Sequence, residues 1–322
     1  MRYLVKTYLF VSLALLQCVM CYAQTTAYPN RPITVVIPMG AGGTSDTLGR
    51  MVAPALSEIL GQPVIIENRP GVNGLIGEEY FTKVKPDGYT IMLGSTSASN
   101  NLWLHNLSYD PRKAFVPVSL MTTLPLALIV NNKTGAKSVK EFIDYVKKSP
   151  VPINYAHWGD GSVSHLNSES LKIEAGIDMN AIPYKTSPQV LNDTISGQVE
   201  ASFVGTIVAA QHINGGKIQV LGVTSSARTM VLPQVPTMAE AGFPRVDIES
   251  WFGMFVSQGT PDNIKNQINQ ALVKILQQNE IKAKLEAQGF RVIGNTPEQF
   301  SQFYLKDIEK NGKVIKALNL AK

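Results

Sequence analysis

The sequence predicts an α/β fold in two lobes, each a mostly parallel sheet flanked by helices with a ligand cleft between them. Three observations carry this. Short β-branched or apolar runs alternate with segments of helical i, i+3, i+4 periodicity, the order that builds a parallel sheet with helices on its faces. The 322 residues, 44% hydrophobic and 16% charged, suffice for two domains or lobes, and no long charge run marks a disordered tract. Two strand–glycine turn–helix units, one beginning at Ile33 and one at Ile153, lie far apart in the chain, as two walls of a cleft would.

Residues 1–23 read as a cleaved export signal. Arg2 and Lys6 form a positive n-region, Tyr8 to Met20 is an apolar run too short for a comfortable membrane span, and Cys21-Tyr22-Ala23 ends in a small residue suited to cleavage. The competing readings are an uncleaved anchor and a lipoprotein, the latter poorly matched because Gln17 precedes Cys18. Cleavage removes both cysteines, so cysteine catalysis, cysteine metal sites and disulfides are excluded from the mature chain. It also removes two of the positive charges behind the formal net charge of +5. The remaining mild excess permits anionic ligands, and no Lys/Arg cluster interleaved with aromatics supports nucleic-acid binding.

The first unit reads Ile33 to Ile37 as a buried strand, then Pro38-Met39-Gly40-Ala41-Gly42-Gly43-Thr44-Ser45 as a turn, then Asp46 as an acid in the first turn of a helix. Leu48, Val52, Leu56 and Leu60 hold helical spacing, and Gly61 ends the helix. Such a turn aims free backbone N–H groups at one spot, which suits a carboxylate or phosphate. An unliganded βα turn has the same local sequence, and both readings stand at this level. Neither GxxxxGK[ST] nor GxGxxG is present.

Strands follow at Pro63–Glu67 and Thr90–Gly94, with a short helix through Tyr80 and Phe81 between them. Ser95 to Asn101 reads as a polar loop at a strand's carboxyl end, where Thr96 and Ser97 could offer hydroxyls to the crevice, or as plain solvated loop. Leu124–Val130 is an apolar run, Ser138–Glu141 a capping box, and Ile153–Ala156 a strand. The second glycine unit spans His157-Trp158-Gly159-Asp160-Gly161-Ser162 and continues to His165 and Leu166. Ala181–Lys185, Val199–Val204, Ile218–Val223, Ile248–Val256 and Phe290–Ile293 read as further strands. Helices are expected after Ser187-Pro188, Thr237, Thr260-Pro261 and Thr296-Pro297, the last with Phe300, Phe303 and Tyr304 inward.

Taken together, Gly42-Gly43 with Asp46, Glu67-Asn-Arg-Pro-Gly71, Lys85-Pro-Asp-Gly-Tyr89, Gly161-Ser162 with His165-Leu166, Pro183-Tyr184-Lys185, Ser196-Gly-Gln-Val199, Leu221-Gly-Val-Thr224, Glu240-Ala-Gly242 and Ser250-Trp-Phe-Gly253 resemble the Bug, or TctC-like, extracytoplasmic solute receptors of tripartite tricarboxylate transporters. The resemblance runs from Tyr28-Pro29 to the C-terminal helix. It implies a periplasmic-binding-protein-like fold of type II character, with 28–126 and 250–322 as lobe one and 127–249 as lobe two. It implies a periplasmic, non-enzymatic, monomeric receptor without metal or cofactor, its partners a small carboxylate and membrane transporter subunits. The carboxylate would be held by backbone N–H groups and water near Gly42, Gly43, Thr44, Ser45 and Asp46. Met39, Thr96, Ser97, His157, Trp158, Gly161, Ser162, His165, Thr186 and Gly205 complete the expected lining. The chain departs from the family at Met39 (commonly Phe), at His157-Trp158 (commonly small), at Thr186 (commonly Gly) and at Val204-Gly205 (commonly Asp-Asn). Met39, Trp158 and Val204 favour a ligand with an apolar or aromatic body.

Two other classes compete. An exported hydrolase would need a nucleophile, base and orienter; Ser162 and Ser164 lie near His165 but match no GxSxG elbow, and His165 reads better as a structural histidine at a helix start. The other histidines, His105, His157 and His212, lack metal-ligand spacing. A ligand-sensing partner of a membrane sensor would share the binding chemistry.

Overall fold

A computed structural model describes residues 28–184 and 186–321. The expected signal at 1–23 lies outside the described residues. Two sheets organise the chain. The strands are β1 Ile33–Ile37, β2 Val64–Asn68, β3 Thr90–Ser95, β4 Phe115–Leu124, β5 Leu126–Asn131, β6 Asn154–His157, β7 Asn180–Pro183, β8 Ala201–Gly205, β9 Ile218–Val223, β10 Ser250–Ser257 and β11 Arg291–Val292. One sheet has the order β11-β4-β10-β3-β1-β2 and the other β7-β6-β8-β5-β9.

The two-lobed α/β class holds, but the sheets are mixed. The βα units give parallel pairs, β1 with β2 and β3, and β6 with β7 and β8. The strands next to the crossings run against them: β10 is antiparallel to β3 and β4, and β5 to β8 and β9. Leu124–Val130 is not one strand. Pro125 separates β4 from β5 and sends the chain from one sheet into the other.

The register places the cleft. Leu124, the carboxyl end of β4, pairs with Ser250, where β10 begins, and Phe252 pairs with Ser95 at the carboxyl end of β3. One residue past Leu124 the chain enters the second sheet at Leu126, opposite Gly205, the carboxyl end of β8. The carboxyl edges of both sheets therefore meet at the crossing, and the turns after β1, β3, β6, β7 and β8 open toward one another. Thr224, just past β9, braces the first crossing: its N–H donates to Leu126 C=O at 2.8 Å and its Oγ1 accepts from Leu126 N–H at 3.0 Å.

The helix Thr44–Leu60 buries Leu48, Val52, Leu56 and Leu60 on the first sheet, beside the helix Asp262–Leu276. The opposite face carries the C-terminal helix Pro297–Ala317, where the Trp251 ring meets Phe300, Phe303 and Tyr304 edge-on at 5.7, 6.0 and 5.8 Å. That helix starts with the expected capping box at Thr296 and Gln299. Its far end leaves the first lobe: Ile315 belongs to a hydrophobic cluster of the second lobe, with Leu318 and Leu320 packed on it. The Thr237–Glu240 box also forms, with reciprocal bonds of 2.8 and 3.0 Å, but as a turn without a helix.

Candidate functional site

The glycine turn after β1 is built as its sequence suggests, with one added constraint. Gly43 is the N-cap and supplies no side-chain acceptor to the first turn of the helix. Asp46 turns back instead. Its buried carboxylate accepts the Gly42 N–H at 2.8 Å and is gripped by Arg50 Nε at 2.9 and 3.0 Å. Arg50 and then Gly42 hold this carboxyl below the usual range, so it stays ionised. Gly43 N–H donates weakly to Gly40 C=O at 3.3 Å. The N–H groups of Gly42 and Gly43 are thus engaged within the turn. The first three residues of the helix, Thr44, Ser45 and Asp46, have N–H groups without intrahelical acceptors. Residues 40–44 are exposed, and Met39 is half-buried with its carbonyl held by Asn68 Nδ2 at 3.1 Å.

Ser95 to Asn101 is not a loop: Ser97–Leu104 is a helix. Its polar residues are buried, which the small side chains permit, and their bonds run inward. Thr96 Oγ1 accepts from Trp251 N–H at 3.0 Å, and Ser97 Oγ donates to Glu78 Oε1 at 3.3 Å. Neither hydroxyl is turned to the crevice. Glu78 is buried beneath, also bonded by Asn101 Nδ2 at 2.9 Å and Tyr109 OH at 3.1 Å; burial pushes its carboxyl up to about 7. Sequence reasoning missed Asn100. Its Nδ2 donates to Gly161 C=O at 2.9 Å, a direct bond between the lobes.

On the facing side, the loop from His157 to Ser162 is stapled by two histidines. His157 Nδ1–H donates to Gly159 C=O at 3.0 Å, while His165 Nδ1 accepts Gly161 N–H at 3.1 Å. The two rings stack at 4.2 Å and 13°. Both are buried, and desolvation lowers both basicities, that of His165 to about 4. Their bonding assigns the tautomers: His165 carries its proton on Nε2, and His157 on Nδ1. Ligand atoms of His157, Asp160 and His165 lie within 4.8 Å of one another. The in-plane lone pairs of stacked rings lie in two near-parallel planes, a poor geometry for one shared ion, and His165 Nδ1 is already bonded to Gly161.

No serine here is set up as a nucleophile. Ser162 Oγ accepts the His165 backbone N–H at 3.3 Å as the helix N-cap, and Ser164 Oγ donates to Phe203 C=O at 3.0 Å. Trp158 is half-buried and packs against both hydrophobic clusters of its lobe. Val204 is fully buried and adds nothing to an apolar wall, whereas Gly205 is half-buried at the start of a helix. Thr186 is an exposed N-cap beyond β7. The structure thus brings 39–46, 157–162 and Gly205 to the facing edges, sets Thr186 at the outer end, and turns Thr96 and Ser97 inward.

A family model described as the tripartite tricarboxylate transporter family receptor matches residues 48–320. The chain is 34% identical to Protein BugT of Bordetella pertussis over 292 residues, 90% of each chain. It is similar to the solved structure of R. palustris Rpa4515 with adipate, with a TM-score of 0.82 and 32% identity over 91% of this chain and 99% of that one. It is similar also to MatC from Rhodopseudomonas palustris with bound malate, with a TM-score of 0.78 and 30% identity over 89% of this chain and 100% of that one.

Proposed function

Because the chain belongs to the tripartite tricarboxylate transporter receptor family, we propose that it is the periplasmic receptor that captures one small carboxylate in the cleft and presents it to the transporter's membrane subunits. The observation that carries this reading is the turn after β1. The first-turn N–H groups of Thr44, Ser45 and Asp46 face an exposed glycine turn at the edge where the two sheets meet. A carboxylate there gains from the helix dipole and from donors that no side chain caps. Loop 157–162 and Gly205 meet the ligand's other end.

In this reading residues 28–126 with 250–322 form one lobe and 127–249 the other, and the lobes close on the ligand about the crossings at Pro125 and at Glu249–Ser250. Residues 1–23 direct the chain to the periplasm and are removed after Ala23. Relatives with malate and adipate support a dicarboxylate of four to six carbons as the first candidate. The receptor leaves its ligand chemically unchanged.

A thermal-shift screen of mono-, di- and tricarboxylates tests this, with product analysis of each hit. A carboxylate should raise the melting temperature and be recovered intact, and Gly43→Val should abolish the shift. Best hits among sugars or cations, or a Gly43→Val protein that binds normally, would refute the assignment.

A further inference from the structure

The loop after β2 ends in a turn that few L-residues adopt. Gly71, Val72, Asn73 and Gly74 all have positive φ, at 141°, 46°, 51° and 90°. Gly74 N–H closes the turn on Gly71 C=O at 3.0 Å. Asparagine tolerates this backbone region, but a β-branched residue there is a strained exception. Val72 is also 56% exposed, so its side chain recovers little by packing.

Neighbours hold the strain in place. Asn101 Nδ2 donates to Asn73 C=O at 3.2 Å and to Glu78 Oε2 at 2.9 Å. Leu75 N–H donates to Val72 C=O at 3.1 Å. The turn rests on the end of β1: a Cβ on Gly74 would stand 3.2 Å from Pro38 Cβ, 3.2 Å from Ser97 Oγ and 3.3 Å from Met39 Cε. The turn that carries Val72 therefore stands at the facing edge with its Gly74 end against Met39, and the residue next to Asn101 is Asn100, which bonds the opposite lobe.

We propose that Val72 is a specificity-determining residue of this cleft, contributing with Met39 an apolar contact to the body of the ligand. The proposal rests on the carboxylate reading above and deepens it. A methylene body gains by covering the exposed isopropyl group and the Met39 thioether. A hydroxyl placed there loses its water and meets no partner, so hydroxylated bodies are rejected. Asparagine in its place would accept the backbone angles and offer a partner to that hydroxyl.

Calorimetry on the full mature chain tests this with unsubstituted four- to six-carbon dicarboxylates and their hydroxylated counterparts of equal length, succinate against malate being the first pair. The wild type should favour the unsubstituted member by about tenfold or more. Val72→Asn should cut that ratio at least threefold while the unliganded melting temperature holds or rises. Val72→Ala keeps the strained angles but shortens the side chain, and should lose the preference without gaining stability. A ratio unchanged in both variants, or a wild type without the preference, overturns the role of Val72 and leaves the carboxylate site standing. A wild type that binds no carboxylate overturns the site assignment and this inference together.

Discussion

His157 and His165 lie ring upon ring at the foot of one cleft wall, and each fixes the loop between them through the backbone of a glycine. One ring acts as donor to Gly159 and the other as acceptor from Gly161; the donor keeps its bond in either protonation state, whereas the acceptor, His165, must be neutral.

Stability should therefore respond to pH through His165. Its folded basicity lies near 4 against an ordinary 6.5, so the unfolded chain takes up the proton first. The contribution is present above about pH 6.5 and is lost as pH falls toward 4, about 2–3 kcal/mol in all. Urea unfolding at pH 7.5, 6 and 5 should show this loss in the wild type relative to His165→Asn, whose Oδ1 can accept the Gly161 N–H without titrating. Parallel pH curves for the two proteins would rule the mechanism out.

Glu78 runs the other way. Burial raises its folded value from 4.5 to about 7, so folding is favoured by its protonated form and weakened as pH rises from about 4.5 through 7. Glu78→Gln should be near-neutral at pH 5 and more stable than wild type by about 1–3 kcal/mol at pH 8. Equal differences at both pH values would show that the buried carboxyl does not titrate.

The Asp46 carboxylate and the Arg50 guanidinium are bonded, but they should not matter equally. Asp46 is buried and holds the Gly42 N–H, whereas Arg50 is largely exposed. Asp46→Ala should cost about 1–2 kcal/mol and weaken carboxylate binding by disordering the turn. Arg50→Ala should cost under about 1 kcal/mol. Thermal melts and ligand titration of the two variants measure both effects; a larger loss in Arg50→Ala would reverse the assignment.

Gly161 has φ +69°, and a Cβ there would lie 2.3 Å from Leu104 Cδ1, across the lobe boundary. Gly161→Ala should destabilise by about 2–3 kcal/mol and force the lobes apart at Asn100. Adding Leu104→Ala removes the collision, so the double variant should lose less than the sum of the singles. Strict additivity in chemical denaturation would mean that the two residues do not meet.

The elements that sequence disclosed were those whose signals are local. The helix after Gly43 announces itself by periodicity, and the parallel strands by short β-branched runs. β4 was hidden because Pro117, Ser119, Thr122 and Thr123 interrupt its apolar pattern. Some of these find partners only far along the chain: Ser119 Oγ bonds Asn295 C=O and Thr123 Oγ1 accepts from Arg291 Nε. The helix Ser97–Leu104 read as loop for the same reason. Its Ser99 Oγ bonds Asp307 Oδ2 at 2.5 Å, and its Asn100 accepts from Asn311 at 2.9 Å, over 200 residues away in sequence. In the cleft, the glycine turn and the 157–162 loop were legible as turns. The Asp46 hook on Gly42, the paired histidine staples and the strained Val72 were not, since each depends on a geometry that several local sequences share.

The C-terminal helix touches both lobes, and it follows every strand in the chain. β5 to β9 lie in one continuous stretch, so the second sheet has all its strands long before the first, which waits for β10 and β11. Pairing β4 with β10 closes a loop of more than a hundred residues, a slow step compared with the local pairings of the second lobe. The helix then covers Trp251 with Phe300 and Tyr304 at one end and enters the second lobe's cluster with Ile315 at the other. Loop length thus favours condensation of the second lobe ahead of the first, with the helix as the clasp that joins the two halves.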